Sequence, residues 1–263
     1  LDDKSSMARS MHNLGMLAQD TGDIGEARRL YGESLKIAQE LGDKRGISRL
    51  LHQMAMLAQN TGDIDEARRL YGESLKIFQE LGDKRGVASS LHNLGALAQD
   101  AGEIEEARRL YGDSLKIKRE LGDKSGVSKS LHQMGTLAQD AGEIEEARRL
   151  YGDSLKIKRE LGDKSGVSKS LHQMGTLAQD AGEIEEARRL YGESLKIAQE
   201  LGDKSGVATS LARSALLEEM EGNLEKALDL IRKAETMFLE LKSPMAVQAR
   251  KDKGRLEQKV PDK

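Results

Sequence analysis

Residues 101–140 read AGEIEEARRLYGDSLKIKRELGDKSGVSKSLHQMGTLAQD, and residues 141–180 repeat those letters without a change. The same frame, more diverged, opens at Thr21, Thr61 and Ala181, and a weaker copy runs through Glu221-Gly222-Asn223-Leu224-Glu225-Lys226-Ala227. A fixed period of roughly 20–50 residues marks a solenoid or array. Each copy is too short to bury its own apolar face, so neighbours must stack to share one core.

Each repeat reads as two helices. The first starts after Asp43, Asp83, Asp123, Asp163 or Asp203, side chains suited to accept a bond from an orphan backbone N–H. It stops near Gly62, Gly102, Gly142 or Gly182, where a left-handed residue suits a helix C-terminus. The second opens at Asp23, Asp63, Glu103, Glu143 or Glu183 and ends at Gly42, Gly82 and their equivalents. Asp23 with Glu26, and Asp63 with Glu66, read as capping boxes. At about 100° per residue, Val127, Leu131, Met134, Gly135 and Ala138 share one side of a first helix. Lys129, His132, Gln133, Thr136 and Asp140 share the other. In the second helix Ile104, Ala107, Tyr111, Ser114 and Leu121 form the inward stripe, widened by Leu110, Leu115 and Ile117. Small residues such as Gly135 and Ala107 let paired helices approach closely. Gly32, Gly72, Gly112, Gly152 and Gly192 fall mid-helix, at a cost of about 1 kcal/mol each relative to Ala. Close packing by a neighbour and tolerated drift both account for them.

Composition narrows the function. The chain has 263 residues, with 42 basic and 45 acidic side chains for a net charge of −3. Aromatic residues are 3 % and no basic block occurs, which disfavours a nucleic-acid platform. Cysteine is absent, excluding disulfides, thiol catalysis and cysteine-ligated zinc. No apolar run approaches the roughly 18 residues of a membrane span. Neither a nucleophile elbow nor a phosphate-binding glycine loop is present, so no catalytic residue and no cofactor is expected. Glu105 and Glu106, in the first turn of a helix, read as structural.

Leu91-His92-Asn93-Leu94-Gly95-Ala96-Leu97-Ala98, followed by Ala107, Tyr111 and Ser114, resembles the tetratricopeptide pattern. The period of 40 is similar to the long-helix variants in kinesin light chain, Pins-type adaptors and prokaryotic signalling arrays. The sequence departs from the pattern at Ala98, where many relatives carry an aromatic, and in lacking a proline to close each repeat. The resemblance implies an all-α fold: an α-solenoid, a right-handed superhelix of six antiparallel helix pairs. The repeats are set at 3–42, 43–82, 83–122, 123–162, 163–202 and 203–242. Residues 243–263 are expected to form a polar capping helix and tail, opening at Ser243-Pro244. Leu1-Asp2-Asp3-Lys4 aligns with Leu41-Gly42-Asp43-Lys44, so a fragment of a longer array is expected.

The resemblance further implies that the first helices line a concave groove receiving an extended or helical peptide. The surface so mapped carries Arg9, Arg49, Ser89, Lys129 and Lys169 on one rim. Next come His12, His52, His92, His132 and His172, then Asn13, Gln53, Asn93, Gln133 and Gln173. A further column is Met16, Met56, Ala96, Thr136 and Thr176. It is followed by Gln19, Gln59, Gln99, Gln139 and Gln179 and by an acidic rim from Asp20 to Asp180. Side-chain amides both donate and accept, so such a ladder suits a peptide backbone. Asn13 and Asn93 match the Asn that Pins-type adaptors use on bound peptides; the carboxylate clamp for chaperone tails is not matched. The histidines read as exposed groove residues that give a modest pH response around 6.5. Stacked helices about 8–10 Å apart keep successive histidines from sharing one metal ion.

The function expected is a non-enzymatic protein-interaction scaffold, cytoplasmic, with a protein or peptide partner and neither nucleic acid nor membrane. The alternative is a structural spacer, or an array self-associating through its first helix, where Met7, Met11 and Leu14 lack a covering neighbour. The identical copies suit a repetitive ligand, and equally a recent duplication with none.

Overall fold

The computed structural model describes residues 2–259. Leu1 and the tail beyond Lys259 lie outside the described residues, as do the expectations that fall on them. Those described form thirteen α-helices and no strand. They are α1 (Asp2–Asp20), α2 (Ile24–Glu40), α3 (Lys44–Asn60), α4 (Ile64–Glu80), α5 (Lys84–Asp100), α6 (Ile104–Glu120) and α7 (Lys124–Asp140). Then follow α8 (Ile144–Glu160), α9 (Lys164–Asp180), α10 (Ile184–Leu201), α11 (Lys204–Met220), α12 (Leu224–Glu240) and α13 (Met245–Glu257). The fold is an all-α repeat solenoid. No helix among the described residues is long and apolar enough to cross a membrane.

The same short joint connects nearly every pair of helices. At the first, Gly22 takes φ 81°, which an L side chain rarely adopts. Asp23 N–H then donates to Ala18 O at 2.8 Å, closing the helix behind it. The Asp23 carboxylate accepts from Glu26 N–H at 3.0 Å, capping the helix ahead. One residue thus ends one helix and starts the next. Asp43, Asp83, Asp163 and Asp203 cap in the same way, through the N–H of the glycine three residues on. The capping boxes are only half formed. Glu26 and Glu66 turn forward to Arg29 and Arg69, both at 2.7 Å, instead of back to the cap. Glu103 and Glu183 make no side-chain cap bond; they bind Arg68 at 2.9 Å and Arg148 at 2.8 Å in the preceding repeat. The longer side chain exchanges a local cap for a tie between repeats. Before α13 the joint carries Lys242 at φ 51° where the others carry glycine.

The chain divides into two compact bodies, Leu1–Ser130 and Leu131–Lys263. In the N-terminal body α1 packs on α2, α3 on α4 and α5 on α6, with α2–α3 and α4–α5 contacts joining the hairpins. Ala27, Tyr31, Ala38, Leu50 and Leu57 make one shared cluster, and Leu51, Ala55, Ala67, Tyr71 and Leu97 the next. In the C-terminal body each of α8 to α12 packs on its successor, and α13 closes the series on α12. Ala246, Ala249 and Leu256 of α13 join the cluster of Ile231 and Phe238. Salt bridges fasten this cap: Lys253 to Glu235 at 2.6 Å and Arg255 to Glu219 at 2.7 Å. The capping helix is polar outside and apolar where it lands.

Candidate functional site

Five tyrosines, Tyr31, Tyr71, Tyr111, Tyr151 and Tyr191, are completely buried at 0 % exposure and organise the first-helix face. Each ring lies where the facing helix carries Gly15, Ala55, Gly95, Gly135 or Gly175. A Cβ built on Gly135 would stand 2.7 Å from Tyr151 Cδ1. Each phenol donates to the amide oxygen of a glutamine in its own repeat: Gln19 at 2.9 Å, Gln59 at 3.1 Å, and Gln99, Gln139 and Gln179 at 3.0 Å. Tyr151 and Tyr191 also reach Thr136 and Thr176, both at 3.1 Å. The outer glutamine column, expected to be open to a ligand, is therefore committed to the core.

The histidines pack on the same rings, with centroids 5.1 Å apart for His52 and Tyr71 and 5.8 Å for His12 and Tyr31. They are half-buried, not exposed as expected from the sequence. Burial pushes all five below their ordinary value. His92, His132 and His172 fall to about 4, helped by Lys118 and Lys129, by Lys158, and by Arg213 respectively. His12 is lowered by burial and then by Arg49, and His52 by burial. The imidazoles are neutral at pH 7, and the modest response around 6.5 is displaced toward acid.

Bonding differs along the column. His52 Nε2 lies 3.3 Å from Asn93 Nδ2, which can only donate, so Nε2 accepts. That places the proton on Nδ1, which donates to Ser90 Oγ at 3.3 Å. Nδ1 of His12, His92 and His132 is buried without a partner. Leu50 stands opposite His12 where Ser90 stands opposite His52. Ser130 and Ser170, the corresponding residues for His92 and His132, accept instead from Lys118 Nζ at 2.9 Å and Lys158 Nζ at 2.8 Å. These two lysines are buried, and burial lowers Lys118 from its ordinary value.

In the N-terminal body a cleft of about 290 Å³ gathers Arg9, His12, Asn13 and Arg49. Another of about 830 Å³ gathers His12, Arg49, His52 and Gln53. In the C-terminal body a cleft of about 340 Å³ gathers His132, Lys169, His172 and Gln173. His92, Asn93, Lys129 and Gln133 line none of these three. The side-chain amides of Asn13, Gln53, Gln133 and Gln173 make no hydrogen bond among the described residues, whereas that of Asn93 is held by His52. No group of three or more His, Asp or Glu among the described residues could hold a metal ion.

The larger cleft also carries Arg45 and Arg85, which the columns read from sequence did not include. A signal for them existed. Both lie in the first turn of a helix, where the dipole disfavours positive charge.

The tetratricopeptide repeat profile matches residues 6–80, 46–120, 86–160 and 166–240. The chain belongs to the tetratricopeptide repeat family. This tetratricopeptide array matches no curated protein sequence. Among solved structures it is similar to BtubC from P. vanneervenii, at 23 % identity and TM-score 0.70 over 76 % of this chain and 82 % of that one. It also resembles a signal transduction ATPase with a tetratricopeptide repeat sensor from Pyrococcus horikoshii. There identity is 19 % and TM-score 0.74, over 94 % of this chain and 37 % of that one. A Rap protein complexed with competence and sporulation factor aligns at 15 % identity and TM-score 0.66, over 95 % and 74 % of the two chains. At these identities the likeness is one of fold.

Proposed function

We propose that the chain is a non-enzymatic scaffold whose first-helix face binds an extended or helical segment of a partner protein. The observation that carries this reading is the division of labour among the amides. One column is consumed by tyrosine hydroxyls, while Asn13, Gln53, Gln133 and Gln173 have no partner. Half-exposed amides that fold without a bond are suited to lend one to a peptide backbone. The Rap structure complexed with a factor supports the reading by likeness of fold. A cytoplasmic location is part of the same proposal, and the absence of cysteine is compatible with it.

Selection from a random peptide library on the full chain tests this. Selected peptides should lose about tenfold in affinity for the Q53A/Q133A/Q173A variant, with its helicity unchanged. Failure to select any peptide, or equal affinity for the variant, would overturn the proposal.

A second reading is favoured by α1. Leu14 is 53 % and Leu17 59 % exposed, while Leu57, Leu97, Leu137 and Leu177, which correspond to Leu17, are almost fully covered. We propose self-association through this face as the alternative function.

A further inference from the structure

Arg9, Arg45, Arg49 and Arg85 stand exposed around the two clefts of the N-terminal body, which share His12, Arg45 and Arg49. None has an ion-pair partner among the described residues, and Arg9 reaches only Ser6 Oγ at 3.4 Å. Arg29 and Arg69 on the second helices, by contrast, each hold two glutamates. The acids in these clefts are occupied. Asp43 and Asp83 accept from Gly46 and Gly86 N–H, at 2.9 and 3.0 Å, as helix caps. The neighbouring Lys84 is tied to Glu120 at 2.8 Å. Folding gives no reason for Arg45 and Arg85, because positive charge in a first helical turn opposes the dipole. Ser125, Ser165 and Ser205 stand in their place in later repeats, so this feature is local.

We propose that the four guanidinium groups receive an acidic peptide segment with a carboxylate at every third residue. This deepens the groove reading and rests on it. Arg45 and Arg85 are equivalent residues of α3 and α5, which touch, and touching helices lie about 8–10 Å apart. Arg9 and Arg49 are likewise equivalent residues one repeat apart, on α1 and α3, and both line the smaller cleft. A peptide in the polyproline II conformation has three residues per turn and advances about 9 Å per turn. Its side chains at every third residue therefore recur at the spacing of the repeats. Guanidinium forks bind carboxylates with two parallel bonds, and the amides of Asn13 and Gln53 line the same clefts, one helical turn beyond Arg9 and Arg49, where they can meet the peptide backbone.

The test uses the full chain and a fluorescent peptide of repeated Glu-Pro-Ser triplets, followed by anisotropy. The controls are a peptide of the same composition with its glutamates grouped, and an oligouridylate. The spaced peptide should bind, with an affinity that falls as salt rises. R45Q/R85Q should weaken it about tenfold, and that variant should fold, since it removes charge the helix dipole opposes. Equal affinity of the variant, equal affinity of the grouped peptide, or tighter binding of the oligouridylate would each overturn the inference. Library-selected peptides without acidic residues separate the two levels. If they bind R45Q/R85Q unchanged while the triplet peptide fails to bind the wild type, the basic site falls and the groove stands. If no peptide binds, both fall.

Discussion

Glycine stands in several settings in this chain, and not all of them call for it. At Gly22 the positive φ demands it, and at Gly135 the ring of Tyr151 leaves little room for a Cβ, although Ala55 fills the equivalent place against Tyr71. Gly32, Gly72, Gly112, Gly152 and Gly192 meet neither condition: a Cβ added there has nothing within 4 Å. Of the two accounts open at the sequence level, close packing is therefore removed. Alanine at these sites keeps the helix and narrows the unfolded ensemble. Each of Gly72→Ala and Gly112→Ala should raise stability by about 0.5–1 kcal/mol, read from urea melts. Gly135→Ala is the contrast and should be neutral or destabilising. A loss of stability at Gly72→Ala and Gly112→Ala would show that something approaches those sites after all. The burial of Lys118 belongs to the same scale. No pattern of charges along α6 announced it, because it depends on Ser130 of the next helix accepting a hydrogen bond from its ammonium.

A column of equivalent side chains across several helices behaves as one element of the array. Burial leads the causes that hold His92, His132 and His172 at about 4, against 6.5 in an unfolded chain. Between those values the unfolded chain binds protons that the folded one refuses, so stability rises with pH through the window. Acidification from 6.5 toward 4 must lower it. Glu218 titrates elsewhere. Burial raises its carboxyl, but bonds from Lys226, Arg188 and Asn223 outweigh that and hold it at about 2. Its contribution is complete above its ordinary 4.5 and is lost as pH falls toward 2. The melting temperature should therefore drop between about pH 7 and about pH 5, and H92Q/H132Q/H172Q should flatten that drop. A triple variant as acid-sensitive as the wild type would assign the effect to other groups. The helices themselves were legible from their punctuation, because Asp and Gly recur at fixed places and act locally. The groove was legible only in part. Periodicity separates a polar face from an apolar one, but it cannot show that Gln19 and its equivalents are spent on tyrosines in the paired helix.

At the scale of the whole molecule, the exposed side of α1 sets the clearest expectation. Leu17 presents to solvent a surface that its equivalents in the later repeats hide, and Leu14 beside it is exposed where its equivalents are half-buried; such patches drive association. Sedimentation should show reversible, concentration-dependent association that L14Q/L17Q abolishes, and a wild-type monomer at high concentration would remove the self-association reading. The repeat period was readable because a stacked core constrains every copy alike. Arg45 and Arg85 could be noticed in their first helical turns, but that they are unpaired was not readable, because such pairing is decided between residues about one repeat apart, as for Lys84 with Glu120. The duplicated residues 101–140 and 141–180 have a consequence for how the chain reaches this state. Helix α10 packs on α9, and α7 offers the same letters. A refolding chain can therefore dock α10 one copy too early and extrude the hairpin between, at only a modest entropic cost. Such a trap satisfies nearly every local contact, so escape from it requires undoing sound structure. Redundancy that makes the native array easy to read makes it slow to proofread.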